Sequence, residues 1–88
     1  MDVCAGGFIS VGATSITFTN DHPVACSITS CTLPGFPHIP PPVVVPAKVG
    51  SKPGTKTVTL NPPPTVKCDY PYTPDCCNKE TNPVIKVQ

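Results

Sequence analysis

The chain has 88 residues, a formal net charge of +1 and only 12% charged residues, with all of its positive charge on scattered lysines and none on arginine. That length sets one domain, residues 1–88, and a core too small to stabilise a fold without some added brace. The charge pattern lacks the basic stripe that nucleic-acid binding needs. No apolar run reaches membrane-spanning length, so no membrane insertion is expected. The first residues also lack the basic and apolar regions of a signal peptide, so an exported protein with this sequence is expected to be a processed form or to carry an added Met1.

Fourteen prolines and six glycines make up nearly a quarter of the residues. Proline removes a backbone donor and clashes with the preceding helical turn, and no stretch of a dozen residues combines helical apolar spacing with freedom from proline. The proline-free stretches alternate apolar and polar residues as strands do, which argues against disorder.

In chain order, residues 8–11 (Phe-Ile-Ser-Val) start a first strand after Ala5-Gly6-Gly7. Residues 14–20 alternate, with Ile16 and Phe18 on one face, and Asn20-Asp21-His22-Pro23 forms a turn. Residues 24–29 place Val24, Cys26 and Ile28 on a common face. A proline-rich loop at about 33–46 includes Pro40-Pro41-Pro42 and is expected to be stiff and polyproline-like. Within it, Val43-Val44-Val45 forms a short edge strand or packs down as a lid.

Pro53-Gly54 signals a turn into the alternating strand 55–60, whose Val58 and Leu60 point inward. Residues 66–72 alternate with Val66, Cys68, Tyr70 and Tyr72 on one face. Pro71 lacks a ladder donor, which places this strand at an edge or at a bulge. Thr73-Pro74-Asp75 has the composition of a helix start, with about one turn running through Cys76, Cys77, Asn78 and Lys79. Residues 84–88 close the domain with Ile85 and Val87 on one face. Short strands with turn signals at this spacing predict an all-β, antiparallel Greek-key β-sandwich with almost no helix.

Six cysteines, Cys4, Cys26, Cys31, Cys68, Cys76 and Cys77, supply the natural brace. An even count in a short chain points to disulfides and an oxidising compartment, with 15 possible pairings. Metal ligation by cysteine and histidine, and free buried thiols, are the alternatives. Zinc-type spacing is met only marginally by Cys26 and Cys31, and adjacent Cys76-Cys77 is a poor pair for one ion. His22 and His38 fall in turn and loop positions, and neither stands with a recognisable nucleophile or acid/base partner. No catalytic residues, cofactor or metal are therefore expected. Phe36, His38 and Ile39 in the proline-rich loop are a candidate interaction loop, or else fold back over an open end of the sandwich. Tyr70 and Tyr72 are expected to serve packing.

The segment Val11-Gly12-Ala13-Thr14 leading into Ile16-Thr17-Phe18-Thr19-Asn20 resembles the cupredoxin family, as do Tyr70-Pro71-Tyr72, the cysteine-bearing loop after it and the last strand Val84-Ile85-Lys86-Val87. The resemblance implies a cupredoxin-like sandwich. It also implies a copper site completed by Cys, His and Met in the last loop. Here the loop from Thr73 to Asn82 holds neither His nor Met, and Cys26 stands near the expected first ligand. The resemblance thus implies that a disulfide from Cys26 to Cys76 or Cys77 fills the space the family gives to its metal.

The expected function is a non-catalytic, secreted or cell-surface structural or interaction module. Its expected partner is protein, including copies of itself assembled into a larger extracellular structure. The alternative is a small copper-type metal-binding or electron-transfer protein with an altered ligand set.

Overall fold

The computed structural model describes residues 1–77 and 83–88. It is all-β, with no helix among the described residues. The strands are β1 (Gly6–Ile9), β2 (Ser15–Asn20), β3 (Cys26–Cys31), β4 (Val43–Val45), β5 (Gly54–Thr59), β6 (Cys68–Pro74) and β7 (Val84–Val87). Five form one sheet in the order β1-β7-β6-β3-β4, while β2 and β5 form a two-stranded antiparallel ribbon.

Alternating side chains define the space between the sheets. Ile16 and Phe18 of β2, Val58 of β5, Cys26 and Ile28 of β3, Val43 and Val45 of β4, and Ile85 and Val87 of β7 are buried. Phe18 lies at the centre. It meets Tyr72 edge-on at 5.7 Å between ring centroids and Phe36 edge-on at 6.3 Å, the arrangement that aromatic quadrupoles favour.

The expectation of a purely antiparallel sandwich is corrected by β1, which runs parallel to β7 with Gly6 opposite Val84 and Ile9 opposite Val87. The first strand therefore begins at Gly6, two residues before the predicted start. A Cβ on Gly6, whose φ is +72°, would collide with the backbone of Val84, so only glycine allows β1 to approach β7 here. The run before β1 joins the two sheets. Asp2 bridges both Gly6 and Thr19, and the Val3 amide donates to the Thr19 carbonyl at 2.9 Å.

Strand β6 is interior, not an edge. It pairs with β7 over Cys68–Pro71 and with β3 over Tyr72–Pro74. Pro71 sits where one partner hands over to the other, so its missing donor interrupts neither long ladder. The β3–β6 register also shifts between Ile28 and Ser30, which places a bulge at Thr29. The alternation predicted from residue 66 holds only at its end. Val66 and Cys68 are exposed, Tyr70 is half-buried and Tyr72 is buried. Val24 likewise lies outside β3 and faces solvent.

The predicted helical turn does not form in its described part. Thr73 and Pro74 extend β6, and Asp75 to Cys77 form a bend. Asn78 and Lys79 lie outside the described residues. Thr73 and Pro74 pair with Ser30 and Ile28, so a ladder claims the backbone that a helix would need.

The hydroxyl of Tyr72 donates to the Val3 carbonyl at 2.8 Å. Burial, aided by the nearby Asp2 carboxylate, pushes its ionisation above the usual phenol value of 10.0. The unfolded chain would ionise first, so stability is fully present below about pH 10 and falls as pH rises beyond it. Tyr72→Phe is expected to cost about 1 kcal/mol at neutral pH through the lost hydrogen bond. It should also flatten the alkaline fall, as read from urea midpoints on either side of about pH 10.

Candidate functional site

One end of the molecule gathers four cysteines and a histidine. Cys4 is bonded to Cys77, and Cys26 to Cys76. The Cys4 Sγ lies 3.9 Å from the Cys76 Sγ and 3.4 Å from His22 Nε2, and the Cys76 and Cys77 Sγ atoms are 3.7 Å apart. Two disulfides from one pair of adjacent cysteines therefore meet in van der Waals contact.

Local hydrogen bonds deliver each member. Asp2 Oδ1 accepts from the Cys4 amide at 2.8 Å, and the Asp2 carbonyl accepts from Ala5 and Gly6, a tight turn that sets the Cys4 side chain. The Ser27 amide donates to Asp75 Oδ1 at 2.8 Å, while the Asp75 amide donates to the Ser27 carbonyl at 2.9 Å. This reciprocal pair clamps the bend to the start of β3 and brings Cys76 to Cys26.

Asn20, fully buried at the end of β2, holds the turn that carries His22. Its Nδ2 donates to the Val24 carbonyl at 2.8 Å and the Pro46 carbonyl at 3.2 Å, and its Oδ1 accepts from the His22 amide at 3.0 Å. The Lys48 amide donates to the His22 carbonyl at 2.8 Å, and a surface ion pair joins Lys48 Nζ to Asp21 at 3.2 Å. The hydrogen bonds matter more than the ion pair, because exposed pairs contribute little.

Each bond closes a long loop, with sequence separations of 73 for Cys4–Cys77 and 50 for Cys26–Cys76. In the chain-entropy model each alone is worth about 4 kcal/mol, with overlap because the second loop lies within the first. That is comparable to all the net stability expected of so small a core.

The other two cysteines correct the six-cysteine framework. Cys31 and Cys68 are unpaired. Cys31 stands opposite Tyr72, and Cys68 lies four residues farther along β6. Four strand residues span ~13 Å, well beyond the ~7 Å Cα separation a disulfide tolerates. Cys31 is half-buried, and burial raises its thiol above the usual 9.0, only partly offset by a hydrogen bond to the Leu33 backbone. Cys68 is exposed in a shallow depression with Lys67, Asp69 and Lys86.

The candidate interaction loop divides. Phe36 and Ile39 pack against the core, while His38 stays exposed. With Pro41, Pro42, Val43 and Val44, His38 borders a groove of about 580 Å³ that extends to Lys56–Thr59 of β5.

The sulfur end tests the copper-type ligand set. Ligand atoms of Cys4, His22 and Cys76 lie within 4.8 Å of one another, as do those of Cys26, Cys76 and Cys77. Adjacent Cys76 and Cys77 thus do direct both sulfurs to one place, against the expectation from their spacing. The two-histidine set of a copper site does not fit, because His38 belongs to the proline-rich loop and the four sulfurs are tied up as disulfides, which are poor ligands next to thiolates. The sequence pointed to Cys26 with Cys76 or Cys77. It held no signal for His22 beside Cys4, because that contact depends on how Asn20 folds the turn.

No family model, curated protein or solved structure matches the chain.

Two outcomes are expected of this geometry. Intact mass after alkylation of the untreated protein should show two adducts, at Cys68 and Cys31, with labelling of Cys31 still climbing above about pH 9 as its buried thiol ionises. Asn20→Ala should destabilise the protein by ~2–3 kcal/mol in urea titrations, because buried carbonyls and the His22 amide lose their partner.

Proposed function

We propose that this chain is a non-catalytic structural or interaction module of an extracellular or cell-surface assembly, with protein, including copies of itself, as its partner. The proposed architecture is a cupredoxin-like Greek-key sandwich whose metal end has been given over to disulfides. The observation that carries the reading is the pair of open edges on the five-stranded sheet. Edge strand β1 turns Phe8 outward at 64% exposure, and edge strand β4 turns Val44 outward at 45%. Unpaired strand edges bearing apolar side chains are natural places for strand addition.

Three further features support it. The two disulfides suit an oxidising compartment. No helix of the described residues is long and apolar enough to cross a membrane. Net charge near zero leaves little electrostatic repulsion between copies. The metal-binding reading draws on the sulfur and histidine cluster and ranks second, because it requires both disulfides to be opened first.

Sedimentation of the native protein should show association that grows with concentration. Phe8→Lys or Val44→Lys, both at exposed positions, should weaken it at a cost of no more than about 1 kcal/mol in monomer stability, the Phe8 change also losing its contact with Lys86. A monomer at every concentration up to the millimolar range would rule out self-assembly.

A further inference from the structure

The two disulfides differ in access at one residue, Cys26. Cys26 is fully buried, whereas Cys4, Cys76 and Cys77 are partly exposed and the exposed His22 stands beside Cys4. A reductant in solvent can approach either sulfur of the Cys4–Cys77 bond, whereas the Cys26–Cys76 bond offers it only the Cys76 sulfur. Yet the Cys4 Sγ is only 3.9 Å from Cys76, the outer sulfur of the buried bond.

We propose that Cys4–Cys77 is the entry site for a dithiol reductant and that it relays reduction inward, leaving a new Cys4–Cys76 bond and a thiol on buried Cys26. In the first step a thiolate of the dithiol attacks the Cys77 Sγ. A mixed disulfide forms there, the Cys4–Cys77 bond breaks, and its electron pair leaves on the Cys4 Sγ. His22 Nε2–H, at 3.4 Å, is placed to donate to that sulfur and stabilise the thiolate.

The second thiol of the reductant then displaces Cys77. The reductant departs as its own disulfide, having given up two electrons and two protons, and Cys77 becomes a thiol. The Cys4 thiolate next attacks the Cys76 Sγ. The Cys4–Cys76 bond forms, the Cys26–Cys76 bond breaks, and its electron pair leaves on Cys26, which takes up the second proton. This exchange transfers no further electrons.

Cys77 competes poorly for the same attack. Its Sγ lies within 4.8 Å of both Cys26 and Cys76, so it approaches that bond from the side, whereas displacement at sulfur runs along the bond axis. The end state also suits the burial pattern, since a protonated cysteine behaves as a small apolar side chain and Cys26 has no solvent exposure.

The test first blocks Cys31 and Cys68 with iodoacetamide. The protein is then treated with one equivalent of dithiothreitol, quenched with acid, and labelled with N-ethylmaleimide under denaturing conditions. Peptide mapping should find label on Cys26 and Cys77 and a Cys4–Cys76 crosslink. Label on Cys4 and Cys77 with Cys26–Cys76 intact would overturn the relay, as would label on Cys26 and Cys76 with Cys4–Cys77 intact, or all four cysteines opening together.

Cys4→Ser removes the relaying sulfur and should slow the opening of Cys26–Cys76 about tenfold or more, as the intramolecular advantage is lost. An unchanged rate there would also overturn it. Should that variant fail to fold, His22→Gln keeps all four cysteines and alters only an exposed side chain. It should slow the appearance of the Cys4–Cys76 crosslink while leaving the urea midpoint unchanged, and an unaltered rate of crosslink formation would remove His22 from the relay.

Discussion

Two adjacent cysteines, Cys76 and Cys77, reach in two directions and tie a single bend to points 50 and 73 residues away in sequence. The end of β6, the start of β3 and the run before β1 are all held at that bend. Short strands separated by proline-rich connections pay heavily in chain entropy to come together, and the crosslinks remove much of that entropy from the unfolded chain before any packing occurs. The core can then be small, a dozen or so apolar side chains around Phe18, and still be unique.

Polar groups supply the aim that sulfur alone would lack. Asp75 and Ser27 exchange hydrogen bonds beside the Cys26–Cys76 bond, and Asp2 turns the chain at Cys4. Asn20 gathers carbonyls from two loops and the His22 amide. A buried amide is tolerated only when its hydrogen-bonding groups are satisfied, and no buried side-chain polar atom among the described residues lacks a partner. The same bonds that stabilise the turn therefore place an imidazole against a disulfide. Scaffold and chemistry at this end cannot be separated.

The sheet edges have the opposite character. β1 has a strand partner, β7, on one side only, apart from the single bridge of Gly6 to Asp2, and β4 has β3 on one side only. Between β4 and β5 lies a groove roofed by prolines, whose backbone has no donor to offer a visiting strand. Edge β1 carries no proline, and its Phe8 lies under Lys86 Nζ at 5.7 Å in a cation–π contact that leaves the ring largely in solvent. Of the two edges, β1 is the more open to another chain.

Period-two alternation was legible for β2, β5 and β7, and so were the burial of Ile16, Phe18, Val58 and Ile85 and the all-β class, because strand faces are written in neighbouring residues. The union of Cys26 with the Cys76–Cys77 pair was legible through likeness to a known pattern. Partnership across the sheet was not. Whether Pro71 lies on an edge, whether β1 runs parallel, and whether Cys31 can reach Cys68 all depend on register between segments dozens of residues apart. Local composition is silent on register. Thr73-Pro74-Asp75 shows the limit plainly, since its helix-start chemistry yields to a ladder with β3. The sequence by itself determined which segments are strands and which side chains want burial, since those follow from alternation and hydrophobicity. Only the tertiary structure decided that Cys26 takes Cys76, that Cys4 takes Cys77 and that His22 stands beside them, because such contacts are properties of a folded surface that no single stretch of chain contains.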